Sequence, residues 1–367
     1  MSPQFWRGLR RQGAVAAGLG ILVWLALRPA SAPEDRSDPQ LSHAEWRALD
    51  NDVSVQIRRD EDQGPDEAEA AFEELRQILL AYERRWAVQG PDSPEYELAR
   101  INRQLAAGED TEIPPEMRPL FGSAARYASL SGGLFDVRIG RLLQLWGLAG
   151  SSASPGIPPD PAALALATAA LLKPTVGGPQ APQLDFSAIA RGDAVDQVLR
   201  HLRDSGFGHA QVRIGEHWGA SGENGRAPWT AALPAVPPLP ADWARLELQD
   251  GEMLGTRRWD ERSFEHAGQR YHDLIDPRSG YPAQGFRSVS VVTDEGARAA
   301  AASTALFVAG PSAWTDAARA LGIEQALVIE ADGTVRATPA LARRLRLTGD
   351  VQVQTTPGPA LPALPSP

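Results

Sequence analysis

One C-terminal stretch, residues 271–310, YHDLIDPRSGYPAQGFRSVSVVTDEGARAAAASTALFVAG, combines a tight turn, a strand and side-chain hydroxyls in a way that suits ligand binding. It opens on a turn signal, Asp276-Pro277-Arg278-Ser279-Gly280, in which proline presets φ and glycine tolerates a left-handed exit. An alternating run, Ser288 to Thr293, then predicts a strand. The alanine-dense segment Gly296 to Phe307 predicts a helix, with the hydroxyls of Ser303 and Thr304 inside it, where an apolar packing face begins. Strand, tight turn and a helix of very small side chains together make a place where a ligand can lie close to main chain.

Other stretches offer further walls. Ser131-Gly132-Gly133 precedes Leu134-Phe135-Asp136, and a glycine pair before an aromatic and an acid can turn backbone amides toward an anionic or planar ligand. Taken alone, that pattern is an ordinary turn. Arg191-Gly192 at a helix entrance suits a phosphate, since it joins a fixed charge to free N–H groups; taken alone, it is a capped helix start with a surface arginine. His217 falls in a glycine-rich segment, Gly215 to Gly225, which reads as a loop with an exposed imidazole.

Periodicity and punctuation give the framework around these residues. A helix starts at Pro65, with Phe72, Leu75, Leu79 and Tyr82 at helical spacing,. Further helices are predicted over Ala124 to Leu130, Pro161 to Leu172 and Ala194 to Leu202; Leu184, Phe186 and Ile189 fit a strand or turn. Short strands are predicted at Val53 to Ile57, Gln211 to Ile214, Trp229 to Leu233 and Ala244 to Leu248. Ala326 to Val335 reads as a hairpin with Asp332-Gly333 at its tip. Residues 33–49 read as a polar linker, 50–350 as the folded domain and 351–367 as a Pro-rich disordered tail.

Composition narrows the partners. A net charge of -10 argues against nucleic acid,. The absence of cysteine removes disulfides and thiolate chemistry,, and ten tryptophans suit a large core,. Residues 1–32 carry Arg7, Arg10 and Arg11, an apolar run from Gly13 to Leu27, and Ala30-Ser31-Ala32 as a small-x-small cleavage site,. The expectation is an export signal, or an uncleaved inner-membrane anchor, with the body of the chain in the periplasm.

Four blocks in order, SGGLFDVRIGRLLQLWG, LDFSAIARGDAVD, LIDPRSGYP and the Ser288–Gly310 segment, with Asp92-Ser93 and Arg100-Ile101-Asn102 as a weaker fifth, resemble the FAD:protein FMN transferases, a bacterial flavinyltransferase family. The resemblance implies an α/β (α+β), T-fold-like architecture, in which mixed sheets are flanked by helices and a ligand cleft lies between two lobes. It implies FAD as substrate, a Mg²⁺ ion on its diphosphate, and a partner protein whose threonine or serine hydroxyl takes FMN while AMP leaves.

Carried over by position, the resemblance puts Leu134, Phe135 and Asp136 at the adenine or flavin end, and Asp185 and Ile275 against FAD. Arg191 stands where the family often has a lysine that contacts FAD. Ala188, through its carbonyl, and Thr304 fall on magnesium-ligand positions. Several positions depart from the pattern. The family's metal aspartate is Ala300 here, its histidine is Asp273, a tyrosine is Asp193, a Thr-Ser-Gly reads Gly255-Thr256-Arg257, and a Gly-Gly-Asp reads Gly215-Glu216-His217. One reading is an active transferase in which Asp193, Asp273 or Glu216 supplies the missing carboxylate and Asp273 is the base. The alternatives are a flavin-binding or scaffold relative without the metal site, and a periplasmic interaction domain with an empty cleft.

Overall fold

Alternating burial builds the first element pair. In β1 (Leu41–Ala48) and β2 (Asn51–Arg58), Val53, Val55 and Ile57 face inward and the residues between them face out, as the period of two requires. The hairpin turns on Leu49 and Asp50, both at positive φ (54° and 59°). Such a turn usually advertises itself as Asn-Gly or Asp-Gly. Leu-Asp carries no such signal, and β1 therefore occupies the stretch that sequence assigns to a linker at 33–49.

The computed structural model describes residues 38–149, 156–173, 177–178 and 181–356. The export-signal segment and the last residues of the predicted tail lie outside them. Helices α1 (Pro65–Trp86), α2 (Glu97–Ala107), α3 (Arg118–Leu130), α4 (Gly140–Leu145), α5 (Pro161–Leu172) and α6 (Ser187–Asp204) follow the hairpin. Then come β3 (Ala210–Ile214), β4 (His217–Ser221), β5 (Trp229–Ala232), β6 (Ala244–Leu248), β7 (Met253–Arg258), β8 (Ser263–His266), β9 (Gln269–His272) and β10 (Phe286–Thr293). The chain continues through α7 (Gly296–Ala309), α8 (Trp314–Ala320), β11 (Gln325–Glu330), β12 (Val335–Ala337), α9 (Pro339–Ala342), β13 (Leu345–Leu347) and β14 (Val353–Thr355).

The main sheet runs β1-β2-β3-β4-β7-β10-β11-β12-β14, antiparallel except for the parallel pair β12–β14. Its faces bury different partners. Val289 and Val291 of β10 and Val328 of β11 join the cluster under α1, α6 and α7. Val292, Leu327 and Ile329, on the other face, pack with Trp229 and Leu246 of a second, three-stranded sheet, β13-β6-β5. A third apolar cluster, around Trp146, joins α4, α5 and Ile275.

Three sequence expectations change. Helix α6 begins at Ser187, so Ile189 is helical rather than part of a strand. The glycine-rich segment carries β4, because Gly219 fits under Val195 and Leu199 where a side chain would collide. The tail predicted from 351 begins as a strand, β14, paired with β12.

Helices α6 and α7 cross backbone to backbone. A Cβ on Gly192 would strike the Gly296 carbonyl, and one on Gly296 would strike that of Gly192. Asp196 of α6 reaches across and accepts from the Gly296 N–H at 2.8 Å, meeting an open donor of the α7 N-terminus. Burial, then the backbone N–H of Gly296 acting against it and the charge of Asp193 acting with it, leaves this carboxyl raised to about 7.

Gly192→Ala should lower stability by about 1–3 kcal/mol through overpacking. Gly122→Ala, on an exposed turn of α3 with open space around its Cα, should raise it by roughly 0.5–1 kcal/mol; denaturant melts read both. Because the folded protein holds the Asp196 proton more tightly than the unfolded chain, this site's contribution is full below the unfolded pKa and is lost as pH rises toward 7. Asp196→Asn should therefore flatten the pH dependence of Tm between about pH 4 and 7, measured by thermal scans.

Candidate active site

A hollow of about 400 Å³, its open mouth included, lies where the main apolar cluster meets the Trp146 cluster. Its apolar wall comes from both sides: Phe135 and Leu274 belong to the main cluster, and Ile139, Leu143 and Ile275 to the other. Leu134, Asp136, Pro277, Asp185, Ser187, Ala188, Arg257, Asp273 and Thr304 complete the lining.

Each polar residue is set by local structure. Asn102, at the buried face of α2, clamps the strand-like entry to α6: its Nδ2 donates to the Leu184 carbonyl at 2.9 Å, and its Oδ1 accepts from the Leu184 N–H at 2.8 Å. Asp185 follows. Its N–H donates to the Val137 carbonyl at 2.7 Å, and its Oδ1 accepts from the Ser187 N–H at 2.8 Å as α6 begins. Its Oδ2 is buried with no partner. Asp136 is held by the residue two places on, accepting from the backbone N–H of Arg138 at 2.8 Å and from its guanidinium.

The Asp276–Gly280 turn repeats that device with Arg278. Gly280 sits at φ 77° against Thr168 of α5, and its carbonyl accepts from Trp146 Nε1 at 2.8 Å. The helix cluster thus fixes the turn, and the turn fixes Ile275 and Pro277. On α7, Thr304 donates to the Ala300 carbonyl at 3.0 Å.

Arg257 of β7 crosses the floor, 2% exposed. Its Nη2 donates to Asp273 Oδ2 at 2.8 Å, Nη1 lies 3.9 Å from Glu261, and Nε has no partner. Burial opposes its charge, yet Asp273 and Glu261 hold the guanidinium protonated above its ordinary range. Glu261, likewise opposed by burial, is held down to about 2 by Arg191 and Arg257. Asp273 keeps Oδ1 buried and unpartnered.

Of the residues that sequence puts forward, Leu134, Phe135, Asp136, Asp185, Ala188, Asp273, Ile275 and Thr304 meet in this one hollow. Arg191 does not. Its guanidinium is taken by Glu261 and, at 3.2 Å, by Asn51. The other proposed carboxylates are also elsewhere. Asp193 accepts from Tyr82 and Gln197, and Glu216 pairs with Arg258. His272 is buried edge-on against Phe307, where burial lowers its pKa to about 4 and leaves it neutral. His217, expected in an exposed loop, is buried in β4, and burial with Arg191 lowers it to about 3. Arg257 is the site residue without a sequence signal: an arginine in a short, half-polar strand gives no hint of where its head lies.

With this arrangement in view, one comparison is decisive: the model of the ApbE family matches residues 49–327. The chain belongs to the ApbE family. It is 34% identical over 260 residues to the FAD:protein FMN transferase of Rhodobacter capsulatus, across 68% of this chain and 49% of that protein. The chain thus spans about half the length of that relative. Over 281 residues it is 29% identical to the enzyme of the same name from Haemophilus influenzae, across 72% of this chain and 80% of that one. The flavinyl transferase ApbE of Pseudomonas stutzeri, in its apo form, superposes with a TM-score of 0.68 at 27% identity, over 83% of this chain and 96% of that one. The ApbE protein of Thermotoga maritima shares the fold at a TM-score of 0.73 and 23% identity, over 84% and 100%. The expected architecture, mixed sheets flanked by helices, is that of these ApbE structures.

Asn102→Ala strands a buried N–H and a buried C=O at Leu184. Stability should fall by about 1–3 kcal/mol, read by chemical denaturation, and amide exchange at 184–187 should speed up before that of the β10 core.

Proposed function

We propose that this ApbE-family chain is an FAD:protein FMN transferase, which moves FMN from FAD onto a hydroxyl of an acceptor protein and releases AMP. The observation that carries the reading is the convergence of the family blocks on one hollow lined by apolar residues together with Asp185, Asp273 and Arg257, each of which has a buried polar atom, Oδ2, Oδ1 and Nε respectively, without a partner in the protein. A flavin dinucleotide needs that combination: apolar surface for its rings, acceptors for its N–H and O–H groups, and a cation for its diphosphate.

In the reaction, the acceptor's threonine or serine oxygen attacks the phosphorus on the flavin side. The bond from that phosphorus to the bridging oxygen breaks, and AMP departs with the electron pair. The hydroxyl proton goes to Asp273 Oδ1, while Oδ2 stays anchored on Arg257. Asp185, fixed by Val137 and Ser187, orients the substrate so that attack is in line, and positioning of this kind supplies much of the acceleration in phosphoryl transfer.

Magnesium, which the family resemblance implies, does not fit the donors present. Ala300 offers no side-chain oxygen, and Ala188 and Thr304 contribute neutral oxygens only. Among the described residues no group of three or more His, Cys, Asp and Glu could hold a metal ion. Mg²⁺ asks for near-octahedral oxygen coordination and gives up water reluctantly. No step here runs through a metal.

The leader pattern at 1–32 supports a periplasmic setting, by export or by an inner-membrane anchor, with an acceptor in the same compartment. Among the described residues no helix is long and apolar enough to cross a membrane.

Incubation with FAD and a threonine-bearing acceptor should add the mass of an FMN phosphoester to the acceptor and release AMP, read by mass spectrometry. Asp273→Asn should slow transfer by roughly 10²–10⁴-fold while FAD still binds. FAD binding with no transfer at all would instead identify a flavin-binding relative.

A further inference from the structure

Building on the flavin-transfer reading, we propose that the Arg257 guanidinium takes the place of the divalent cation and is the group that neutralises the FAD diphosphate. Four observations point the same way. The arginine lines the hollow although its side chain is only 3% exposed. A buried charge with a spare donor is costly unless something completes its hydrogen bonds, and Nε has no partner within the protein. The guanidinium is fixed on one edge by its hydrogen bond to Asp273, with Glu261 a second negative charge 3.9 Å from Nη1, so its direction is set before any ligand arrives. At position 300, where a metal-binding side chain would have to stand, a fully buried alanine packs toward Gly192.

The chemistry of exchange is direct. A guanidinium offers a planar fork that matches two phosphate oxygens and cannot lose its proton. It stabilises charge on the departing phosphate as other fixed cations do, without a hydration shell to strip. Asp273 then has two tasks: it aims the arginine through Oδ2 and accepts the proton through Oδ1. Glu261 is hydrogen-bonded to Arg191 and adds negative charge beside Arg257.

The test is equilibrium flavin binding, followed by flavin fluorescence, with FAD and with riboflavin, which lacks the diphosphate. Each is titrated in EDTA and again in MgCl₂. Wild-type protein should bind FAD equally in both buffers. Arg257→Met should weaken FAD binding by roughly 10–100-fold, as expected for a lost charged hydrogen bond, and leave riboflavin binding unchanged. Arg257→Lys should recover part of the loss. Should Arg257→Met misfold with Asp273 left unpaired, the double variant Arg257→Met/Asp273→Leu removes both charges, which buried pairs often tolerate, and should show the same FAD-selective loss. The proposal is overturned if MgCl₂ tightens wild-type FAD binding tenfold or more, or if the arginine variants lose FAD and riboflavin alike. Wild-type protein that binds neither flavin rejects the transferase reading itself and this inference with it. Wild-type protein that binds FAD by the expected pattern but transfers nothing rejects only the transferase reading.

Discussion

Helix α7 lies in backbone contact with two neighbours at once: Gly255 of β7 beneath Ala299, and Gly192 of α6 beside Gly296. No side chain larger than hydrogen fits at any of the three glycines. That closeness draws the first turn of α6, with Ala188, toward the middle of α7, with Thr304, and lets both edge the hollow that Arg257 also lines. Alanines from 299 to 302 are all buried. A helix of such small residues gains little from each burial taken singly, and its stability must come from packing on both sides at once.

The polar groups around the hollow fall into two kinds. Asp136 and Asp276 each spend their charge on an arginine two residues later, which makes both loops rigid and locally neutral. Asp185, Asp273 and Arg257 instead retain an unpaired atom apiece in the buried interior. Buried polar groups without partners are rare in folded proteins and mark places where stability has been given up for something else. These three line one cavity, while other unpartnered buried atoms, such as those of His217 and Ser288, lie elsewhere in the fold.

Much of this was legible in sequence where residue type dictates backbone. Helix α5 runs from Pro161 to Leu172 as predicted, and Asp160 caps it by accepting from the Ala163 N–H. The DPRSG turn, the alanine-rich α7 and the strand before it follow from φ preferences and periodicity. What was hidden depends on distant partners. Nothing local marks β1, because its turn uses Leu49 and Asp50. Nothing local shows that Asn102 serves Leu184, 82 residues away in sequence, or that Arg191 is claimed by Asn51 and Glu261. The departure at 255–257 was visible as letters. Its meaning required knowing that Arg257 points into the same hollow as Asp273.

The order of strands in the main sheet carries a kinetic consequence. The N-terminal hairpin has no sheet neighbour until β3 arrives more than 150 residues after β2, and the centre of the sheet is not complete until β10 and β11. Such a topology places its loop-closure entropy ahead of most of its stabilising contacts, which slows folding. The nascent polypeptide must therefore carry an unpaired hairpin edge until β3 is made, and an incomplete sheet until β10 and β11 follow, an interval in which exposed strand edges favour aggregation,.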